Sequence, residues 1–193
     1  ENYRLEGKTF VIDDYDRLPA FSSFLPGLAG VKGIPMWTFY TNRGQGMNSF
    51  GIDNKGNAIM EFNSANTAFE NTTVKGFRTF LKIDGEYYEP FFKYEDEAKR
   101  QIRMNKNSFK VIEKNEKYGI EVTVNYYVLP NESIGALVRQ VTVKNISGEA
   151  KEIEVIDGLP KIITYGIANG EFKEMSNLFK SWAYIKNIEH KVP

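Results

Sequence analysis

Hydrolysis of a glycosidic bond takes two carboxyl groups about 5 to 9.5 Å apart across the sugar. Acidic residues stand beside apolar segments at Asp53, Glu61 and Asp157. Carboxylates at strand ends more often serve turns and salt bridges, so no catalytic pair is assigned. The only histidine is His190, and no G-x-S-x-G or comparable nucleophile motif accompanies it. Asp13-Asp14-Tyr15-Asp16 lacks the acidic spacing, the central glycine and the distant Glu of a calcium loop. Glu95-Asp96-Glu97 runs into Lys99-Arg100 and reads as a solvated, charge-mixed segment. Gly44-Gln45-Gly46 lacks the G-x-x-x-x-G-K pattern of a phosphate loop and reads as a tight turn. Asn-x-Ser/Thr triplets begin at Asn71, Asn131 and Asn145, a pattern short enough to arise by chance. No catalytic residue, metal site or cofactor is therefore expected.

One stretch carries recognition chemistry: Trp37-Thr38-Phe39-Tyr40-Thr41-Asn42-Arg43-Gly44-Gln45-Gly46, followed by Glu61-Phe62-Asn63. Sugars stack their C–H faces on aromatic rings, and their hydroxyls call for side chains that both donate and accept. Trp37, Tyr40, Asn42, Arg43 and Gln45 are accordingly the expected substrate-binding residues. The same alternation of Trp37 and Phe39 with polar neighbours also describes a half-buried strand ending in a glycine turn.

The elements that would position these residues are mostly strands. Phe and Tyr together number 25 against two Trp, and long runs of helix formers are scarce. From Ile120 to Leu129, Ile120, Val122, Val124, Tyr126 and Val128 fall on one face, with Glu121, Thr123 and Asn125 on the other. Phe77 to Ile83 repeats the pattern, and Asp84-Gly85 turns it into Glu86-Tyr87-Tyr88 as a type I′ hairpin. A second hairpin is expected from Asn48 to Phe62 about Asn54-Lys55-Gly56, with Gly56 as its left-handed residue. Ser108 to Lys114, Ala136 to Lys144 and Lys151 to Asp157 read as further strands, the last two joined through Asn145-Ile146-Ser147-Gly148 in an antiparallel meander. Prolines and glycines between Arg17 and Pro35 predict a long loop. Met175, Leu178, Phe179 and Trp182 have helical spacing, which predicts one short helix near the C-terminus, and Ala183 to His190 reads as another strand. The expected fold is an all-β, large antiparallel β-sandwich forming a single domain over residues 1–193, with a β-barrel as the alternative.

Charge and composition narrow the partners. Lys plus Arg equals Asp plus Glu at 25 each, and the charges are scattered, so no basic face exists to attract nucleic acid. Cysteine is absent, which excludes disulfides and Cys-ligated zinc. No apolar run approaches the roughly 20 residues of a membrane helix, and Glu1-Asn2-Tyr3-Arg4 is not a signal peptide, so the expected compartment is the cytoplasm. The first residue is not Met, which suggests a piece of a longer protein.

Several motifs in order carry a resemblance. Tyr40-Thr41-Asn42-Arg43-Gly44-Gln45-Gly46 is followed by Ser49-Phe50-Gly51-Ile52, Asn54-Lys55 and Ala58-Ile59-Met60-Glu61-Phe62. Next come Gly76-Phe77-Arg78-Thr79-Phe80, Leu129-Pro130-Asn131-Glu132, Gly135-Ala136-Leu137-Val138-Arg139 and Asp157-Gly158-Leu159-Pro160. From about Phe24 to His190 the chain resembles the N-terminal β-sandwich of inverting β-glycoside phosphorylases, the beta-1,2-oligoglucan phosphorylases among them, which are relatives of cellobiose and chitobiose phosphorylase. The resemblance implies a supersandwich of the galactose-mutarotase-like kind, standing before a catalytic (α/α)6 barrel of the same protein. It implies phosphate as the nucleophile, a β-glucan oligosaccharide as substrate, the catalytic acid in the barrel, and a possible homodimer. The expected role is that of a scaffold bordering the substrate cleft. The alternatives are a stand-alone carbohydrate-binding module and the sandwich domain of a glycoside hydrolase.

Overall fold

The computed structural model describes residues 2–93, 97–160 and 167–182. The strand expected from Ala183 to His190 lies outside these residues, as do Glu95 and Asp96. Among the described residues the chain forms thirteen strands, numbered in chain order. The largest sheet holds β1 (Tyr3–Glu6), β2 (Thr9–Asp13), β9 (Ala98–Met104), β10 (Ser108–Asn115), β11 (Ile120–Val128) and β12 (Leu137–Asn145), in that spatial order. Every neighbouring pair in it is antiparallel. A second sheet holds β3 (Ser22–Ala29), β4 (Ile34–Thr41), β5 (Met47–Ile52) and β6 (Ala58–Met60). The third has β7 (Arg78–Ile83) between β13 (Ile153–Gly158) and β8 (Glu86–Tyr88).

Period-two patterning places the core. Ile120, Val122, Val124 and Tyr126 of β11 are buried together with Phe109 and Val111 of β10 and Ile102 of β9. They meet Leu25, Tyr40 and Met47 from the four-stranded sheet, and Leu81, Ile83 and Tyr88 from the three-stranded one, in a single cluster. The fold is thus an all-β sandwich: one six-stranded layer covered by two smaller sheets. Each fully buried aliphatic side chain contributes about 1.5–3 kcal/mol relative to exposure. The strands lie in three separate sheets, so the barrel alternative is set aside.

Four local expectations are corrected. Arg17 to Pro35 is not one loop: β3 occupies Ser22–Ala29 and pairs along its length with β4. Gly30 and Gly33, at φ 70° and 69°, make the turn, and Pro26 is tolerated because among the described residues β3 is an edge strand of its sheet. In the β5–β6 hairpin the left-handed residue is Asp53, at φ 60°, rather than Gly56. Lys55–Asn57 instead forms a 3-10 turn, in which the Asn54 side chain accepts from Gly56 N at 2.9 Å.

The strand after the Asn145 turn does not return to β12. Asp84 Oδ1 accepts from Glu152 N at 2.9 Å and Asp84 N donates to Glu152 O at 2.9 Å, which carries β13 across to pair with β7. Finally, there is more than one helix. α1 (Ala65–Lys75) lies on the four-stranded sheet, and α2 (Asn169–Glu174) precedes α3 (Ser176–Trp182). α1 gives no apolar stripe to read because its buried residues are Ala68 and Thr72. Thr72 Oγ1 donates to Ala68 O at 2.6 Å and lies 3.0 Å from Thr41 Oγ1, so the helix docks through hydroxyls. No helix among the described residues is long and apolar enough to cross a membrane.

Candidate functional site

The five residues expected to contact sugar occupy β4 and the turn into β5, and they do not share one exposed face. Trp37 is half-buried: its indole donates to Asn54 O at 3.2 Å, and its ring meets Phe62 edge-on at 5.6 Å. Gly51 stands opposite in the ladder, where a Cβ would come within 2.6 Å of Trp37 Cζ2. Tyr40 is in the core, stacked on Phe109 at 4.4 Å, and burial raises its phenol above the ordinary value.

Asn42 is fully buried. Its Oδ1 accepts from Phe21 N at 2.9 Å, while its Nδ2 donates to Tyr15 O at 2.9 Å and Pro19 O at 3.0 Å. That single amide staples the chain before β3 to the end of β4. Arg43, half-buried, donates to Asn42 O at 2.7 Å and Leu18 O at 3.2 Å. Gln45 is buried, with Nε2 on Thr79 Oγ1 at 2.9 Å and Oε1 accepting from Arg139 at 2.5 Å. The polar groups of Asn42 and Gln45 are thus engaged in holding the fold, and Trp37 and Arg43 are the two members with solvent contact.

Two interior polar clusters were not anticipated. Arg100 and Glu113 sit at core-facing positions of β9 and β10, with Nε 2.6 Å from Oε2. Glu113 also accepts from Phe91 N at 2.7 Å and from the Tyr88 hydroxyl, while Arg100 reaches Asp16 at 2.6 Å. The signal was in the alternation, since Arg100 lies two residues from Ala98 and from Ile102, and Glu113 two from Val111. The second cluster gathers Arg139 of β12, Asp157 of β13, Thr79 of β7 and Gln45. Arg139 forks onto Asp157, with Nη2 at 2.9 Å from Oδ1, and Thr79 Oγ1 donates to the same carboxylate at 2.6 Å. Of the acidic candidates, Asp157 is therefore committed to an ion pair and Asp53 to a left-handed turn. No group of three or more acidic or histidine side chains among the described residues converges as a metal site requires.

The surface that stands out is the outer face of the three-stranded sheet. Register pairs Phe80 with Ile156, and Lys82 with both Glu154 and Tyr87, so these side chains share that face. Ile156 is 75% exposed and Tyr87 82%, while Phe80 is also exposed. On the other face of β13, Val155 is half exposed as well. The Arg78 guanidinium, held by Glu89 at 2.6 Å, lies 4.8 Å from the Phe80 ring and 5.0 Å from Phe92. Beside it, Phe80, Phe92, Tyr87 and Tyr118 wall a cleft of about 330 Å³. Among the described residues β13 is also an edge strand, its outer ladder unpaired within the sheet. An apolar strip beside an open strand edge suits contact with further protein.

No protein-family model matches the chain, and no curated protein matches it significantly.

Proposed function

We propose that this sandwich is a non-catalytic scaffold domain of a carbohydrate-active phosphorylase that cleaves β-linked glucan oligosaccharides with phosphate. Its Phe80–Ile156 face receives the helical catalytic domain of the same protein. The reading joins the motif resemblance to one structural observation, the exposed Phe80, Tyr87 and Ile156 side chains on a sheet with an open edge strand. A soluble domain that works alone has little reason to leave such side chains clustered on one sheet. Chemistry would come from the barrel: phosphate attacks the anomeric carbon, and one carboxylic acid protonates the departing oxygen.

The chain by itself, given phosphate and β-1,2-glucan oligosaccharides, should release no glucose 1-phosphate. Mixed with a separately produced (α/α)6 barrel of such a phosphorylase, it should form a complex seen by light scattering. Ile156→Lys with Phe80→Ser should abolish that complex while leaving the thermal melt in place. Turnover by the chain alone would sink the reading, as would a complex indifferent to these substitutions. Tight saccharide binding by the chain without any barrel would shift the conclusion to a free-standing carbohydrate-binding module.

A further inference from the structure

Where β3 meets β11 beside the β9–β10 turn lies a groove of about 550 Å³, a size that suits one or two sugar rings. Its walls are built, not incidental. A Cβ on Gly27 would lie 2.4 Å from Val128 Cγ2, so the two strands touch there only because residue 27 is glycine. Gly30 N donates to Leu129 O at 3.0 Å and Val31 N to Glu132 O at 2.7 Å, which closes one end with backbone hydrogen bonds. The β9–β10 turn is held by Asn105 Oδ1, which accepts from Asn107 N and Ser108 N, each at 2.9 Å.

The lining is uncharged. Amides of Asn105, Asn107 and Asn125 and the Ser108 hydroxyl stand among the Tyr127 ring and the apolar Leu28. Asn107 is exposed, and Asn125 Oδ1, shielded from solvent, accepts no hydrogen bond among the described residues. The terminal torsion of an asparagine is soft, so a small rotation turns that acceptor towards the groove. Amides beside a ring and an aliphatic wall, with no ion to attract a charged group, match a ligand that is neutral, rich in hydroxyls and apolar on its C–H faces.

We propose that this groove is a subsite for one glucosyl unit of a neutral β-linked oligosaccharide. The assignment rests on the carbohydrate reading above and adds to it a place and a set of contacts. Titrating the intact chain with β-1,2-linked glucotriose, with adenosine as a control, and following amide signals by NMR tests it. The side-chain amides of Asn105, Asn107 and Asn125 should shift with millimolar saccharide and not with adenosine. Asn107→Ala and Asn125→Ala should each weaken the titration about three- to tenfold, the loss of one neutral hydrogen bond. Asn107 is exposed in its turn, so that variant should keep the wild-type melt. Saccharide shifts elsewhere, or variants that titrate like wild type, would overturn the groove while leaving a carbohydrate role standing. Equal response to adenosine would overturn the ligand class, and no response to saccharide would overturn the subsite. The barrel-association measurement would still judge the scaffold reading on its own.

Discussion

Arg100 Nε stands 2.6 Å from Glu113 Oε2 inside the sandwich, and neither side chain is more than 5% exposed. Glu113 also takes the Tyr88 hydroxyl of β8 and the backbone of Phe91, so one carboxylate ties the three-stranded sheet to the six-stranded one. Among the described residues, its removal leaves a guanidinium out of water with Asp16 and the Lys93 carbonyl. Breaking a buried pair from one side costs about 3–5 kcal/mol, whereas replacing both partners with apolar groups is often far milder. Glu113→Ala should lower the urea midpoint strongly, and Arg100→Met with Glu113→Met should recover a large part of the loss. Equal midpoints for Glu113→Ala and wild type would mean the pair is not desolvated.

Gly46 and Gly85 both have positive φ, at 82° and 90°, but their surroundings differ. A Cβ on Gly46 would lie 2.3 Å from Phe109 Cε1 in the core, while one on Gly85 would meet nothing within 4 Å. Gly85→Ala should therefore cost only the left-handed backbone penalty, about 1–2 kcal/mol. Gly46→Ala adds the displacement of a packed ring, about 1–3 kcal/mol more. Denaturant titration of the two variants should rank them in that order, and the reverse order would show that the Phe109 ring moves freely aside.

What the sequence could say depended on whether a segment's burial was written in apolar residues. β11 was legible because Ile120, Val122, Val124 and Tyr126 alternate without interruption, and the β7–β8 turn because Asp84 and Gly85 both take positive φ. α1 was not, since its docking face is Ala68 and Thr72, and β9 was not, since Arg100 occupies a core position. β3 was masked by Pro26 and Gly27, residues that an edge strand and a close strand crossing accept. The run from Trp37 to Gln45 mixes aromatic rings with amide and guanidinium groups. Its polar members recognise backbone and side chains of the same protein, a use of amides that composition cannot distinguish from sugar binding.

Tyr126 is fully buried with no hydrogen bond of normal geometry to its hydroxyl. Burial pushes its phenol up to about 12, against the pull of the nearby Arg139 guanidinium. A folded value above the unfolded one, about 10, means stability that is complete below pH ~10 and drains away as pH climbs towards 12. Tyr126→Phe should change stability little at neutral pH, because the hydroxyl makes no hydrogen bond of normal geometry and only a weak one to Arg139 is lost, and should soften the alkaline loss. Melts across that range check both points, and a marked destabilisation at neutral pH would reveal a bonded hydroxyl.

Asp157 shows the opposite sign. Partial burial raises its carboxyl, but hydrogen bonds from Arg139 and Thr79 and the guanidinium charge outweigh this and hold it below the ordinary carboxylate value. In the unfolded chain the same group takes a proton at about pH 3.9, so its contribution is present above that pH and is lost as acid carries the folded protein through its own lower value. The contact spans β12, β13 and β7, and its loss should loosen the junction between the layers. Asp157→Asn should therefore melt lower than wild type at neutral pH and lose less on further acidification below about pH 4. Parallel melting curves for the two proteins down that range would show that the Arg139 fork contributes nothing to holding β13 in place.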